Sequence, residues 1–245
     1  MRKTKTFDFP EAKNTFIYRI FRWADRFNHV HFLQDNATKN YPFGGFVNIV
    51  AAAAKEEDIF IAEKGKTFES LQAFYDSKKD WVFGYLAYDL KNEIEDLTSK
   101  NSDALEFPEA YFYVPTYLFF IHENNFEIAS KDREPDEIYG ELLQMPTQEQ
   151  EPNQTLFRKP LQNRTSKEKY LSSLEKLKNH ILEGDIYEIN YCMEFFSEDA
   201  HINPREVYFA LNELSPMPFS AYLKIPPNKY AICASPERFL KKKGS

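Results

Sequence analysis

Residues 165–196, TSKEKYLSSLEKLKNHILEGDIYEINYCMEFF, decide the reading of the fold, because the apolar period changes inside one short stretch. Tyr170, Leu171, Leu174, Leu177, Ile181 and Leu182 recur at helical spacing, and Thr165 with Glu168 forms a capping-box pair at the start. Gly184 supplies the stop, since a left-handed C-terminal residue strains glycine least. From Ile186 the pattern alternates. Tyr187, Ile189, Tyr191 and Met193 share one strand face, and Glu188, Asn190, Cys192 and Glu194 share the other. A strand central to a sheet is apolar on both faces. Polar side chains in such a place must be paired or line a cavity, because burying them bare costs about 1–3 kcal/mol. Two readings stand on pattern alone: a half-exposed strand, or one wall of a cleft.

Working outward, Asn203-Pro204 with Glu206 opens a second capped helix, NPREVYFALNEL. FSAYLKI and YAICAS then form a hairpin around PPNK, and the chain ends in SPERFLKKKGS. Upstream, residues 146–165 are rich in Gln, Asn, Pro and Thr without apolar periodicity, and read as a linker. Before it, Phe16, Ile20, Trp23 and Phe27 mark an amphipathic helix followed by the strand HVHFLQDN. Phe46–Ala54, Ile59–Ala62 and Trp81–Tyr88 read as strands. Thr67 is expected to cap a helix bearing Phe68, Leu71, Phe74 and Tyr75. VPTYLFFIHE and FEIAS form a hairpin, and Pro135 opens a helix running to about Gln144.

Composition narrows the classes. The 245 residues include 23 Phe, 15 Tyr and 2 Trp, rings that favour strands and bury large areas. A net charge of -7 argues against a nucleic-acid footprint. Cys192 and Cys233 make neither a disulfide framework nor a zinc site, which fits a reducing cytoplasm. No apolar run is long enough to span a membrane, and MRKTKTFDFPEAK has no export-type apolar region. With only 7 Gly and no Gly-rich loop, nucleotide binding has no support. His29 and His31, two apart, read as a strand edge rather than a metal site. Glu237 follows Ser235-Pro236 at a strand end, placed either to face a cleft or to pair with Arg238.

Three ordered motifs carry a resemblance. Gly184-Asp185-Ile186-Tyr187-Glu188-Ile189-Asn190 resembles the GD-x-YQVN segment of the aminodeoxychorismate synthase component I family of chorismate-binding enzymes. Ser215-Pro216-Met217-Pro218-Phe219-Ser220-Ala221-Tyr222-Leu223 resembles its proline-aromatic segment, and Ser235-Pro236-Glu237-Arg238-Phe239 matches its SPERF. Weaker matches lie earlier. Phe32-Leu33-Gln34-Asp35-Asn36 stands where anthranilate synthase component I carries Leu-Leu-Glu-Ser. Pro42-Phe43-Gly44-Gly45-Phe46 stands at the loop that completes the feedback pocket of that enzyme, and Phe83–Leu90 resembles a strand ending in GYDL.

The resemblance implies an α+β fold: layered antiparallel β-sheets with outer helices, incomplete at the C-terminus. The expected division is 1–145 as an N-terminal region, 146–165 as linker, and 166–245 as the start of the catalytic core. It implies a chorismate substrate, ammonia from a glutamine amidotransferase subunit, and 4-amino-4-deoxychorismate as product, feeding 4-aminobenzoate and folate synthesis. It assigns Mg2+ to Glu237, and places Glu188 and Asn190 in the catalytic cleft. Asn190 follows the aminodeoxychorismate branch, whereas Glu188 departs from the usual Gln and leaves its own role open. An amino-acid pocket would draw on Leu33, Asp35, Phe43, Gly44, Gly45, Phe46, Tyr187, Pro218 and Phe219, against plain aromatic packing as the alternative. Gln34-Asp35 in place of Glu-Ser argues against feedback inhibition. The chain alone is expected to be inactive and unstable, since further metal-binding glutamates lie beyond SPERF in the family. Anthranilate synthase component I, or a non-catalytic module binding an amino acid or a partner, are the alternatives.

Overall fold

The computed structural model describes residues 1–36, 47–53, 58–63, 65–99, 101, 103–147, 156–157 and 159–244. The chain divides into two compact units, Met1–Gln150 with Pro204–Ser245, and Glu151–Asn203.

The larger unit contains strands β1 (Lys3–Asp8), β2 (His29–Gln34), β3 (Asn48–Ala53), β4 (Ile59–Ile61), β5 (Phe83–Leu86), β6 (Ala110–Tyr113), β7 (Tyr117–Ile121) and β8 (Asn125–Ser130). Helices α1 (Lys13–Ala24), α2 (Thr67–Lys78) and α3 (Pro135–Gln144) interleave with them, and a 3-10 helix runs over Tyr88–Glu93. The smaller unit contributes β9 (Leu156–Phe157), β10 (Gln162–Asn163), α4 (Lys167–Glu183), β11 (Phe195–Phe196) and β12 (Ala200–His201). The chain then returns to the larger unit with α5 (Pro204–Leu214), β13 (Phe219–Ile225) and β14 (Lys229–Ser235).

A seven-stranded sheet in the order β1-β8-β7-β3-β2-β13-β14 is the centre of the larger unit, every neighbour antiparallel. Period-2 alternation sorts its side chains into two layers. Val30, Phe32, Val50, Phe119, Phe126, Ile128 and Tyr222 face α1, α3 and α5, where Phe16, Ile20, Phe21 and Trp23 complete the core. Ile49, Ala51, Leu118, Leu223 and Ile225 face the opposite way, against Phe83, Tyr111 and Tyr113 of the small β4-β6-β5 sheet. The outer face of that sheet supports α2 through Phe60, Leu71 and Phe74. Layered antiparallel sheets with outer helices are therefore what the structure contains.

Several expectations are corrected. The division of the chain does not follow the linker, because β13 pairs with β2 along five residues and carries 204–245 into the larger unit. The alternating segment after Gly184 is not a long strand: only Phe195–Phe196 pairs, with β10, and residues 186–194 are irregular. Alternation alone cannot hold a strand without a neighbour to accept its backbone hydrogen bonds. Ser166, not Thr165, caps α4, its hydroxyl accepting from the Lys169 amide at 3.3 Å, while Gly184 ends the helix at φ 84° as expected. None of the apolar α4 face is buried. His29 and His31 lie on a central strand, not an edge, and both are buried.

Candidate functional site

Glu237 sits in the bend immediately after β14, where the edge strand leaves the sheet. Ser235 shapes the bend: its hydroxyl donates to the Glu237 carbonyl at 3.0 Å and accepts from the Glu237 amide at 3.4 Å. Arg238 lays its guanidinium over the Phe219 ring, 5.1 Å from the centroid, so the neighbouring cation is turned toward an aromatic face. Among the described residues no ion pair engages the exposed Glu237 carboxylate. The sequence alternative, pairing with Arg238, is not what the structure contains. An open carboxylate suits a hard divalent cation that keeps water and a substrate oxygen in its shell. It is a single donor, not a closed cage.

Glu188 and Asn190 belong to the smaller unit and are exposed on the irregular segment after α4. Tyr187 beside them is 91% exposed. Glu237 and this pair thus fall in separate units. Two neighbours in the segment are fixed: Tyr191 stacks on Tyr170 of α4 at 5.3 Å, and Glu194 receives Arg164 at 3.3 Å.

Of the residues expected to line an amino-acid pocket, Leu33, Asp35, Pro218 and Phe219 belong to the larger unit and Tyr187 to the smaller. Leu33 lies opposite Ala221 and Gln34 opposite Ser220, which sets Leu33 and Asp35 at the same end of the β2–β13 pair as Pro218 and Phe219. Phe43, Gly44, Gly45 and Phe46 lie outside the described residues. At this end a polar knot forms that composition did not foretell. The Asn36 amide nitrogen donates to Asn212 Oδ1 at 2.8 Å, the Met217 carbonyl at 2.9 Å and Ser220 Oγ at 3.1 Å. Tyr208 donates to Gln34 Oε1 at 2.9 Å, and the Asp35 amide donates to Asn48 at 2.7 Å. These bonds tie the end of β2 to α5 and to the start of β13. Their partners on α5 and before β13 lie far downstream, so no local pattern in Gln34-Asp35-Asn36 announces them.

One further cluster was missed. His180, Glu183 and Asp185 gather at the C-terminus of α4, with His180 Nδ1 2.7 Å from Asp185 Oδ2, all exposed. Their spacing spans a helix end and a glycine cap, so no simple ligand pattern exposes them in the sequence.

The layered antiparallel fold, the SPERF bend and the ordered motifs coincide with a family match over residues 29–245, described as chorismate binding enzyme. The chain belongs to that family. It is 23% identical over 269 residues to aminodeoxychorismate synthase component 1 of Bacillus subtilis, covering 96% of this chain and 56% of that protein. It is 28% identical over 172 residues to an anthranilate synthase component I-like protein of Synechocystis sp., covering 67% of this chain and 34% of that protein. Against anthranilate synthase component 1 of Thermus thermophilus it is 29% identical over 171 residues, 66% of this chain and 37% of that protein. The chain thus spans about half or less of the length of these relatives. No helix among the described residues is long and apolar enough to cross a membrane.

Proposed function

We propose that this chain forms part of an aminodeoxychorismate synthase component I, acting in the cytoplasm. The reaction replaces the C4 hydroxyl of chorismate with an amine and releases water, using ammonia from a glutamine amidotransferase subunit. The observation that carries this reading is the alignment with the Bacillus subtilis enzyme across 96% of the chain, nearly end to end. The anthranilate-type relatives above align over about two thirds. Asn190 in the Gly184–Asn190 motif points the same way.

The open carboxylate of Glu237 is assigned to Mg2+. That ion would offset the negative charge of the substrate carboxylate and of the departing oxygen. Ser235 holds the bend from which the carboxylate projects, so its role is to position Glu237 rather than to react. Glu188 and Asn190 are assigned to orienting the incoming amine or a water, since both carry acceptors.

The test incubates the full-length protein with chorismate, Mg2+ and ammonium and identifies the product by mass. Aminodeoxychorismate without pyruvate is the expected outcome. Anthranilate with pyruvate would move the protein to the sister activity, and unchanged chorismate would overturn the enzymatic reading. Glu237→Gln is expected to raise the Mg2+ concentration needed for half-maximal rate.

A further inference from the structure

A strongly acidic stretch follows β5. Residues 87–109 hold seven carboxylates against two lysines, five of the chain's net -7. They connect β5 to β6 and wall an open cavity of about 1160 Å³ lined by Tyr88, Asp89, Glu93, Leu97, Asp103 and Glu109. Inside it, large apolar side chains stand in solvent. Tyr88 is 84% exposed and Leu97 49%, and on the same stretch Ile94 and Leu105 reach 70% and 71%.

The cavity already contains an image of what it would bind. The Lys91 ammonium lies 4.4 Å from the Tyr88 ring centroid and 2.7 Å from Asp89, a cation held between an aromatic face and a carboxylate. Two of the other acids serve the protein itself: Glu93 caps α2, and Asp103 accepts from the Leu105 and Glu106 amides. The Glu109 carboxylate has no such internal bond among the described residues and faces the cavity half-buried. These carboxylates do not converge as metal ligands do; the only such group among the described residues is at His180. A small amine would use the ring and the acids but would leave Ile94 and Leu105 uncovered. Apart from Lys91, paired with Asp89, and Lys229, which donates to the Leu105 carbonyl, the charges around these exposed apolar side chains among the described residues are acidic, a combination that marks a protein contact.

We propose that the described residues between 87 and 109 (87–99, 101 and 103–109) form a docking surface for a partner protein that presents arginine or lysine side chains interspersed with apolar ones. The basic side chains enter beside Tyr88 and Glu109, and the apolar ones cover Leu97, Ile94 and Leu105. The partner is defined by this chemistry alone, and the surface is independent of which chorismate reaction the family member performs.

The test titrates the nitrogen-15-labelled full-length protein with a short peptide alternating leucine and arginine, the same peptide with glutamate for arginine, and spermine. The arginine peptide is expected to shift amides within 88–109, with affinity falling about tenfold as ionic strength rises from about 0.01 to 0.15 M. The glutamate peptide and spermine are expected to leave those amides unmoved. Glu109→Lys and, separately, Leu97→Ser should each weaken the arginine peptide at least several-fold with unchanged melting temperature. Leu97 is half exposed, so its variant stays informative if the charge reversal disturbs the loop. Spermine reproducing the shifts would make this a small-amine site and overturn the proposal. Equal binding to both variants, or shifts confined to other residues, would overturn it too.

Discussion

Glu93 caps a helix to which it does not belong. Its carboxylate accepts from Thr67 Oγ1 at 2.7 Å, and also from the Thr67 amide at 3.1 Å and the Gly65 amide at 2.8 Å. The free N–H groups at the start of α2 are therefore satisfied from 26 residues downstream. Thr67, expected to be the cap, is instead the first helical residue and fully buried. These bonds, led by the Thr67 hydroxyl, hold the Glu93 carboxyl below its ordinary range. Glu93→Ala is expected to speed amide exchange at Gly65 and Thr67 several-fold while protection in β7 stays unchanged. Since the folded-state pKa is depressed, the contribution is present above the usual glutamate pKa and fades as pH falls below it. An equal response in β7 would mean that the loss is global rather than local.

Gly84 meets β6 too closely for any side chain. A Cβ built there would lie 2.0 Å from the Tyr111 carbonyl and 2.6 Å from the Phe112 ring. Gly84→Ala should therefore displace β5 from β6 and cost about 1–3 kcal/mol, as overpacked interiors do. A urea melt with an unchanged midpoint would contradict it. Tyr111 also bonds His29 at 2.7 Å, so the His29 ring signals should move in the same variant.

Glu141 on α3 gathers three donors from two other segments. Trp23 Nε1 reaches it at 2.7 Å, Arg26 at 2.9 Å and Arg133 at 2.6 Å. Chiefly through Arg133, its carboxyl is held down to about 2. The site is partly solvated, so the expected loss for Glu141→Gln is about 1 kcal/mol rather than the full linkage value. The sign is that of a depressed acid: stability present above the ordinary glutamate pKa, lost as pH falls toward 2. Trp23 fluorescence during denaturant melts at about pH 7 and about pH 3 measures it, and the variant should show the smaller difference between the two.

The elements that buried their own apolar pattern were legible in the sequence. The β7–β8 hairpin, α1, α3 and the β13–β14 hairpin stand within a few residues of their expected places. Each closes on neighbours whose alternation or helical stripe was complete in itself. The residues 186–194 were misread because their alternation is real but unpartnered, and a strand is a property of two segments. The α4 stripe is likewise real and unburied. The bend that carries Glu237 is legible because a short motif fixes it. The Asn36 knot is not, since its partners lie more than 170 residues downstream and nothing local announces them.

His31 offers the sharpest test of the layer between the two sheets. Its Nδ1 lies 3.1 Å from the Tyr113 hydroxyl, which itself donates to the Ala51 carbonyl at 3.2 Å. Burial pushes the imidazole down to about 3, because the apolar layer does not solvate the cation, and His29 on the same strand opposes a second charge. Here the unfolded chain binds the proton more readily, so stability is complete above about pH 6.5 and declines on the way down toward 3. Between about pH 7 and about pH 5 the expected loss from this residue is about 2 kcal/mol. His31→Gln keeps a partner for the Tyr113 hydroxyl but cannot take up the proton, so it should lower stability at neutral pH and flatten the decline. Denaturant melts at the two pH values decide it. A variant whose pH dependence equals that of the parent would show that the acid response arises elsewhere, with His29 the next group to replace.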